Sequence, residues 1–250
     1  MTRLLLAFQF LSIFPIRISG TVRDDDLVRS MRYYPLIGAV LGGLSAVLFW
    51  AGLKLFTPMV ATVCGMTGLI LFSGALHLDG FADMCDGFYG NRSREKILAI
   101  MKDSHSGAMA IVGVFGLLAM KGALLSGLDS ARAIPALVLL PTLGRWSMVW
   151  LCARSTYARS EGGTAFPYIG QVDPWTLRMA TFLCAGIAFA LFRWKGLLVM
   201  AVVALFTWVF RRYTERCIGG MTGDTLGACS ELVEVLSLAV LSIRWIGQGL

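Results

Sequence analysis

Residues 35–56 read PLIGAVLGGLSAVLFWAGLKLF, an apolar run in which Lys54 is the one charged residue. A helix needs about 20 apolar residues to cross a hydrocarbon layer of about 30 Å, and this run is long enough. Similar runs recur along the 250-residue chain, which is 57% hydrophobic and only 15% charged. Its mean hydropathy is +0.73, whereas a soluble domain is about one quarter charged. The composition therefore predicts one all-α domain over residues 1–250, a polytopic bundle of transmembrane helices.

Seven spans fit this pattern by length and apolarity. The sixth is short, so we expect six or seven. Pro141, Gly144 and Arg145 fall inside the fourth, which predicts a broken or kinked helix that faces protein or water rather than lipid. Residues 1–16 are apolar but short and interrupted by polar residues, which indicates an interfacial N-terminal segment. The approximate bounds of the spans are 35–56, 58–78, 107–127, 133–152, 176–193, 196–210 and 227–246.

Basic residues are distributed unequally over the two sides that these spans define. With the N-terminus inside, fifteen Lys and Arg residues lie on the cytoplasmic side and five on the other. Cytoplasmic loops are enriched in positive charge, so this count predicts the orientation and accounts for the net charge of +7 without a nucleic-acid partner. Twelve of the fifteen acids lie on the same side. The polar clusters are therefore expected to face the cytoplasm.

Residues 77–90, HLDGFADMCDGFYG, carry three aspartates at helical spacing. At roughly 100° per residue, Asp79, Asp83 and Asp86 share one narrow stripe if the segment continues the second helix. Like charges so close together need a counter-ion, and oxygen ligands favour Mg²⁺ completed by water and phosphate oxygens. The stripe predicts a magnesium site for phosphoryl or nucleotidyl chemistry. The alternative is a solvated acidic loop.

The residues that flank this stripe extend the predicted site. Residues 91–102 have the pattern of an amphipathic cytoplasmic helix on the membrane surface. Asp103 follows it, as a fourth metal ligand or as the N-cap of the next helix. His77 precedes Asp79 by two residues and is a candidate substrate contact.

Residues 219–234, GGMTGDTLGACSELVE, form a second polar cluster. Glycines and hydroxyls before a helix present N–H and O–H groups to a phosphate, so Thr222, Gly223 and Thr225 are candidate substrate contacts. Arg159 lies in a basic loop between the two clusters. Its guanidinium could bind an anionic substrate.

Three acids in the second cluster are candidate catalytic residues. Asp224 and Glu231 share one helical face, and Glu234 lies one turn further along. Carboxylates within a membrane are costly and usually functional. The alternative is that Asp224 is an N-cap and that the two glutamates pair with Arg145 or another base.

The two clusters together resemble the cobalamin synthase family, the adenosylcobinamide-GDP ribazoletransferases of the late vitamin B12 pathway. The resemblance runs nearly end to end and rests on HLDG-x-x-D-x-x-DG at 77–87 and GG-x-TGDTLGA at 219–228. It implies a Mg²⁺-dependent enzyme of the bacterial inner membrane, with its active site facing the cytoplasm. This enzyme joins adenosylcobinamide-GDP to α-ribazole or its 5′-phosphate and releases GMP. The family usually has arginine after Asp103-Ser104, where this chain has His105.

The resemblance also implies roles for the candidate residues and partners for the chain. Its partners are the small-molecule substrates and the lipid bilayer, and other late enzymes of the pathway and a second copy of the chain are candidate protein partners. We expect metal ligation by Asp79, Asp83, Asp86 and Asp103, catalysis by Asp83, Asp224, Glu231 and Glu234, and substrate binding by His77, Arg145, Arg159, Thr222, Gly223 and Thr225.

Two other functions fit parts of the pattern. A CDP-alcohol phosphotransferase shares the D-x-x-D-G element at 83–87, although Gly90-Asn91 occupies the place of its Ala-Arg pair. A transporter would need acids near the middle of the membrane and two related halves, whereas most acids here are predicted at the cytoplasmic edge.

Overall fold

The computed structural model describes residues 2–18, 21–160 and 162–243. These residues form α-helices joined by loops, and no strand is present among them. The predicted all-α class is therefore confirmed. The helices are α1 (Thr2–Leu11), α2 (Asp24–Ser30), α3 (Tyr34–Leu55), α4 (Pro58–Phe72), α5 (Leu76–Phe88), α6 (Arg94–Ile100), α7 (Ala108–Ser126), α8 (Ser130–Arg154), α9 (Pro174–Ile218) and α10 (Gly223–Leu241), with a 3-10 turn at Met31–Tyr33 between α2 and α3.

Four helical stretches of the described chain are long and apolar enough to cross a membrane, and the bent pair of α4 and α5 adds a fifth only if the two helices are counted as one span. The four are Asp25–Leu55, Ala108–Ser126, Ser130–Arg154 and Pro174–Ile218. They contain the predicted first, third and fourth spans, and the last contains the predicted fifth and sixth spans together.

The predicted second span is broken near its end. Helix α4 ends at Phe72, and α5 turns away from it by 89°. Gly74 and Ala75 take left-handed backbone angles, with φ of 62° and 56°. Glycine adopts such angles without steric cost, which permits the sharp turn. The prediction of one continuous span over 58–78 is therefore wrong, and the acidic stripe lies on a separate helix outside that span.

Helix α9 contains two predicted spans in one stretch of 45 residues. A straight helix of that length would measure about 68 Å, which is more than twice the hydrocarbon layer. Arg193 interrupts it with φ of 53° and ψ of −140°. A Cβ on Gly196 would overlap the carbonyl of Ala188, so the two halves fold back on each other. The hairpin supports the predicted division between residues 193 and 196.

The fourth span is predicted to be broken or kinked, and the structure excludes the break, because α8 runs without interruption from Ser130 to Arg154. Pro141 lacks the N–H that would bond the carbonyl of Leu137, but Gly42 on α3 packs directly on that carbonyl. Close packing of α3 therefore supports the helix where proline weakens it. The expectation that this segment faces protein is confirmed, because Arg145 and most of its neighbours on α8 are buried.

Three further helices, α1, α6 and α10, pack against these spans. Helix α1 packs inward through Leu6, Ala7 and Leu11. Helix α6 lies within the predicted amphipathic segment and buries Ile97 while its charged residues stay exposed. Helix α10 begins four residues before the predicted seventh span, runs to Leu241 and is mostly buried. Residues 244–246 of that predicted span lie outside the described residues.

The contact between α3 and α8 makes a testable prediction about stability. A Cβ on Gly42 would lie 2.8 Å from Val138 Cα, whereas one on Gly43 would meet nothing within 4 Å. We expect Gly42→Val to lower the free energy of unfolding by about 2 kcal/mol through overpacking. Denaturation in detergent measures this change. Gly43→Val is the matched control, and an equal loss in both variants would contradict the packing argument.

Candidate active site

Two glycines bring α5 directly against the start of α10. A Cβ on Gly80 would lie 2.7 Å from the carbonyl oxygen of Asp224, and a Cβ on Gly227 would lie 3.0 Å from the Cα of His77. No larger residue fits at either position without a shift of backbone. This crossing places the acidic stripe of α5 beside the acid in the first turn of α10.

The acids at this crossing are Asp79, Asp83 and Asp224. Burial raises the pKa of Asp83 to about 7, and the neighbouring charges of Asp224 and Asp79 act in the same direction. Arg159 offsets part of this negative charge, since its Nη2 donates to Asp224 Oδ2 at 2.8 Å. The structure therefore confirms that α5 is helical and brings acids of both sequence clusters into one place.

A short backbone pairing positions Arg159. The Ala158 N–H donates to the Met221 carbonyl at 2.8 Å, and the Met221 N–H donates to the Thr156 carbonyl at 2.9 Å. This pairing ties the loop after α8 to the residues that precede α10. The sequence alone does not predict this pairing, because the two segments lie about 65 residues apart in the chain.

The donor chemistry of the cluster fits a divalent cation bound mainly through its substrate. Among the residues that the structure describes, no three acidic, thiol or imidazole groups are close enough to surround a metal by themselves. Mg²⁺ is usually held by one or two carboxylates and completes its shell with water and phosphate oxygens. Asp79 and Asp83 are carboxylates of this kind, and the pKa of Asp83 is raised first by burial and then by the charges of Asp224 and Asp79.

Asp86 and Asp103, the other two predicted metal ligands, have protein partners. Asp86 accepts hydrogen bonds from the N–H groups of Gly107 at 2.6 Å and Ala110 at 2.9 Å, and so caps α7. Asp103 is exposed and contacts His105, which lowers the pKa of Asp103 through hydrogen bonds. The helix cap that the sequence offered as one role for Asp103 therefore belongs to Asp86.

Thr222 and Thr225 cap α10 with their side chains. The Thr225 N–H donates to Thr222 Oγ1 at 3.3 Å, and the Thr222 N–H donates to Thr225 Oγ1 at 2.9 Å. Both residues are fully buried, so these hydroxyls serve the helix terminus. Gly223 lies at the rim of a cavity beside the acidic cluster.

Glu231 and Glu234 belong to a buried network of charges deeper in the bundle. Lys121 on α7 donates to Glu231 at 2.6 Å and to Glu234 at 2.7 Å, and Arg145 donates to Glu234 at 2.7 Å. The structure thus shows the pairing that the sequence left as an alternative to catalysis. Sequence reasoning missed Lys121, although a lysine in an apolar span is itself a signal of a buried partner.

His77 connects this network to the acidic cluster. Its Nδ1 lies 3.3 Å from Arg145 Nη2, and its side chain is 1% exposed. His77, Asp79 and Asp224 line the same cavity, whose volume is about 80 Å³. Tyr34 and Tyr168 also line it, and neither residue was among the predicted contacts.

Comparison with known proteins gives a consistent result. Residues 3–242 match the model of the family described as cobalamin-5-phosphate synthase. The chain is 32% identical to an adenosylcobinamide-GDP ribazoletransferase of Clostridium novyi, with 99% of each chain covered. It is 39% identical to one of Geotalea daltonii, with 94% of this chain and 95% of the relative covered. No solved structure matches the chain.

The charge network predicts the effect of removing Lys121. Lys121→Met leaves two glutamates against one arginine, and an uncompensated buried charge costs about 3–5 kcal/mol. We expect a corresponding loss of unfolding free energy in detergent.

Glu231→Gln in the same chain restores the balance of formal charge. The double variant should therefore recover much of the lost stability. If the single and double variants are equally unstable, side-chain shape rather than charge balance determines the free energy of unfolding at this network.

Proposed function

We propose where the active site of this chain lies, given that it belongs to the cobalamin-5-phosphate synthase family and is an adenosylcobinamide-GDP ribazoletransferase. The proposed site is the cluster of Asp79, Asp83, Arg159 and Asp224. The reaction joins adenosylcobinamide-GDP to α-ribazole or its 5′-phosphate and releases GMP. The observation that carries the proposal is the crossing of α5 and α10, which gathers acids from both sequence clusters at one place.

The reaction requires a site that binds a diphosphate and stabilises the negative charge of the departing GMP. A hydroxyl of ribazole forms a new bond to the phosphorus on the cobinamide side, and the bond between this phosphorus and the bridging oxygen breaks. A bound Mg²⁺ would offset the negative charge of the diphosphate and of the departing GMP. We assign Asp79 and Asp83 as its protein ligands, because they lie at this crossing and are free of the helix-capping bonds that hold Asp86.

Arg159 and Asp224 are suited to orient the two reactants. Arg159 donates to Asp224 through Nη2, while its Nε is buried without a partner in the described part of the chain. A buried, unpaired guanidinium N–H suits a phosphate oxygen. Asp224 can accept the proton of the ribazole hydroxyl or hold that hydroxyl in position. Glu231 and Glu234 are less suited to this role, since both are buried and held by Lys121 and Arg145 deeper in the bundle.

We further propose that the active site faces the cytoplasm from the inner membrane. The polar clusters meet at one end of the bundle, where α5 contacts the starts of α7 and α10. The excess of Lys and Arg on that side supports a cytoplasmic orientation.

Activity of the purified enzyme tests the site. With Mg²⁺, adenosylcobinamide-GDP and α-ribazole, the wild-type chain should release GMP, and removal of Mg²⁺ with EDTA should stop the release. Asp83→Asn should lower the rate at least about 100-fold, because it removes a charge from the reacting centre. The variant should still fold in detergent, since the change relieves repulsion among the acids.

Asp25→Asn is the control for this measurement. Asp25 is exposed and pairs with Arg29 at 3.0 Å, outside the cluster. GMP release near the wild-type rate from Asp83→Asn would refute the metal assignment. CMP release from a CDP-alcohol with a lipid acceptor, in place of GMP release, would refute the assigned reaction.

Labelling of single cysteines tests the orientation. Thr57→Cys lies in the loop between α3 and α4, and Asn91→Cys lies between α5 and α6. In chains that lack the six native cysteines, a membrane-impermeant maleimide should label Thr57→Cys in intact cells. It should label Asn91→Cys only after the membrane is opened, and the reverse pattern would contradict the proposed orientation.

A further inference from the structure

An apolar cavity lies beside the acidic cluster, and we name it the aromatic cavity. Its walls include Phe10, Tyr34, His77, Cys152 and Tyr168. Asp79 and Asp224 of the acidic cluster also line it. A molecule seated among the rings would therefore place an attached polar group next to the reacting centre.

The aromatic walls favour a flat occupant. The ring centroids of Phe10 and Tyr34 lie 6.1 Å apart with an interplanar angle of 16°, and those of Phe10 and Tyr168 lie 5.3 Å apart. Phe10 and Tyr34 are thus nearly parallel, and Tyr168 is tilted at the side. Aromatic faces stack well on planar heterocycles and need few hydrogen bonds from them.

His77 provides a buried polar group in the aromatic wall of this cavity, beside the hydroxyls of Tyr34 and Tyr168. A guanidinium has only donors, so the approach of Arg145 Nη2 makes Nδ1 of His77 the acceptor. The imidazole is then neutral and carries its proton on Nε2. That Nε2 is buried and has no partner in the described part of the chain. A buried donor without an acceptor is costly, and it points to a ligand that supplies the acceptor.

We propose that the aromatic cavity binds the base of the acceptor nucleoside, with Nε2–H of His77 donating to the free nitrogen of its imidazole ring. The proposal rests on the proposed function, which makes α-ribazole the acceptor. The base of ribazole is a flat fused bicycle with one nitrogen bonded to the ribose and one nitrogen free. Such a base presents one acceptor and a large apolar face, which match the Nε2–H donor of His77 and the aromatic rings around it.

The guanine of the other substrate fits this cavity less well. Guanine carries donors and acceptors on several edges, and those that face the aromatic rings would lack partners. With the base in the cavity, the ribose of the acceptor would lie towards Asp79 and Asp224. This placement gives His77 a role in selecting the acceptor and leaves the diphosphate to the acidic cluster.

Steady-state kinetics with two acceptors tests the role of His77. The second acceptor is an analogue of ribazole in which a C–H group replaces the free ring nitrogen. The wild-type enzyme should prefer ribazole by about tenfold in kcat/KM, which is the effect of one buried hydrogen bond. His77→Phe should raise the KM for ribazole about tenfold and reduce the preference to less than twofold. The KM for adenosylcobinamide-GDP should stay within twofold.

Two results would overturn this proposal. One is a preference for ribazole that His77→Phe leaves unchanged. The other is that His77→Phe raises the KM for adenosylcobinamide-GDP and leaves the KM for ribazole unchanged, which would assign the cavity to guanine. If the wild-type enzyme releases no GMP at all, the proposed function fails instead, so the two failures are distinguishable.

A rim variant tests the cavity even if His77→Phe does not fold. Thr164 is exposed and lines the cavity, so a larger side chain there would narrow the entrance without filling the core. Thr164→Phe should raise the KM for ribazole, and a nucleoside with a smaller base should be less affected. Gln171 is exposed on the same loop and does not line the cavity, so Gln171→Phe is the matched control. An unchanged KM in Thr164→Phe would contradict the proposal.

Discussion

The architecture depends on four charged side chains that neutralise one another inside the bundle. Lys121 and Arg145 pair with Glu231 and Glu234, and together they connect α7, α8 and α10. Charges in a low-dielectric interior are tolerated only when they are paired, so these helices have few alternative arrangements. Arg145 also reaches His77, which extends the constraint to α5. The network therefore holds the helices that carry the proposed site.

Close packing at two glycines brings the acids of α5 and α10 together on this scaffold. Gly80 and Gly227 let α5 and α10 approach until their backbones touch, and Asp83 then lies near Asp79 and Asp224. The repulsion among these acids works against folding, and the deeper ion pairs stabilise the same helices. Concentrated negative charge next to a well-packed support is the arrangement that a cation-dependent diphosphate reaction needs.

Much of the fold could be predicted from hydropathy, because length and apolarity report directly on the ability to cross a membrane. The bounds of α3 and α7 follow from composition in this way. The 89° turn before α5 does not, since it depends on left-handed backbone angles at Gly74 and Ala75. The continuity of α8 was also missed, because Gly42 supports the helix at Pro141 from another part of the chain. These features arise from contacts between segments rather than from local pattern.

The sequence by itself determined the all-helical membrane class, the family and the two motifs that carry the acids, because these depend on residue type and spacing alone. Only the tertiary structure decided which acids lie near one another. It paired Glu231 and Glu234 with Lys121 and Arg145, used Asp86 to cap α7, and brought Asp83 and Asp224 side by side. The physical reason is that the environment of a carboxylate depends on partners supplied by distant helices, and sequence spacing does not reveal those partners.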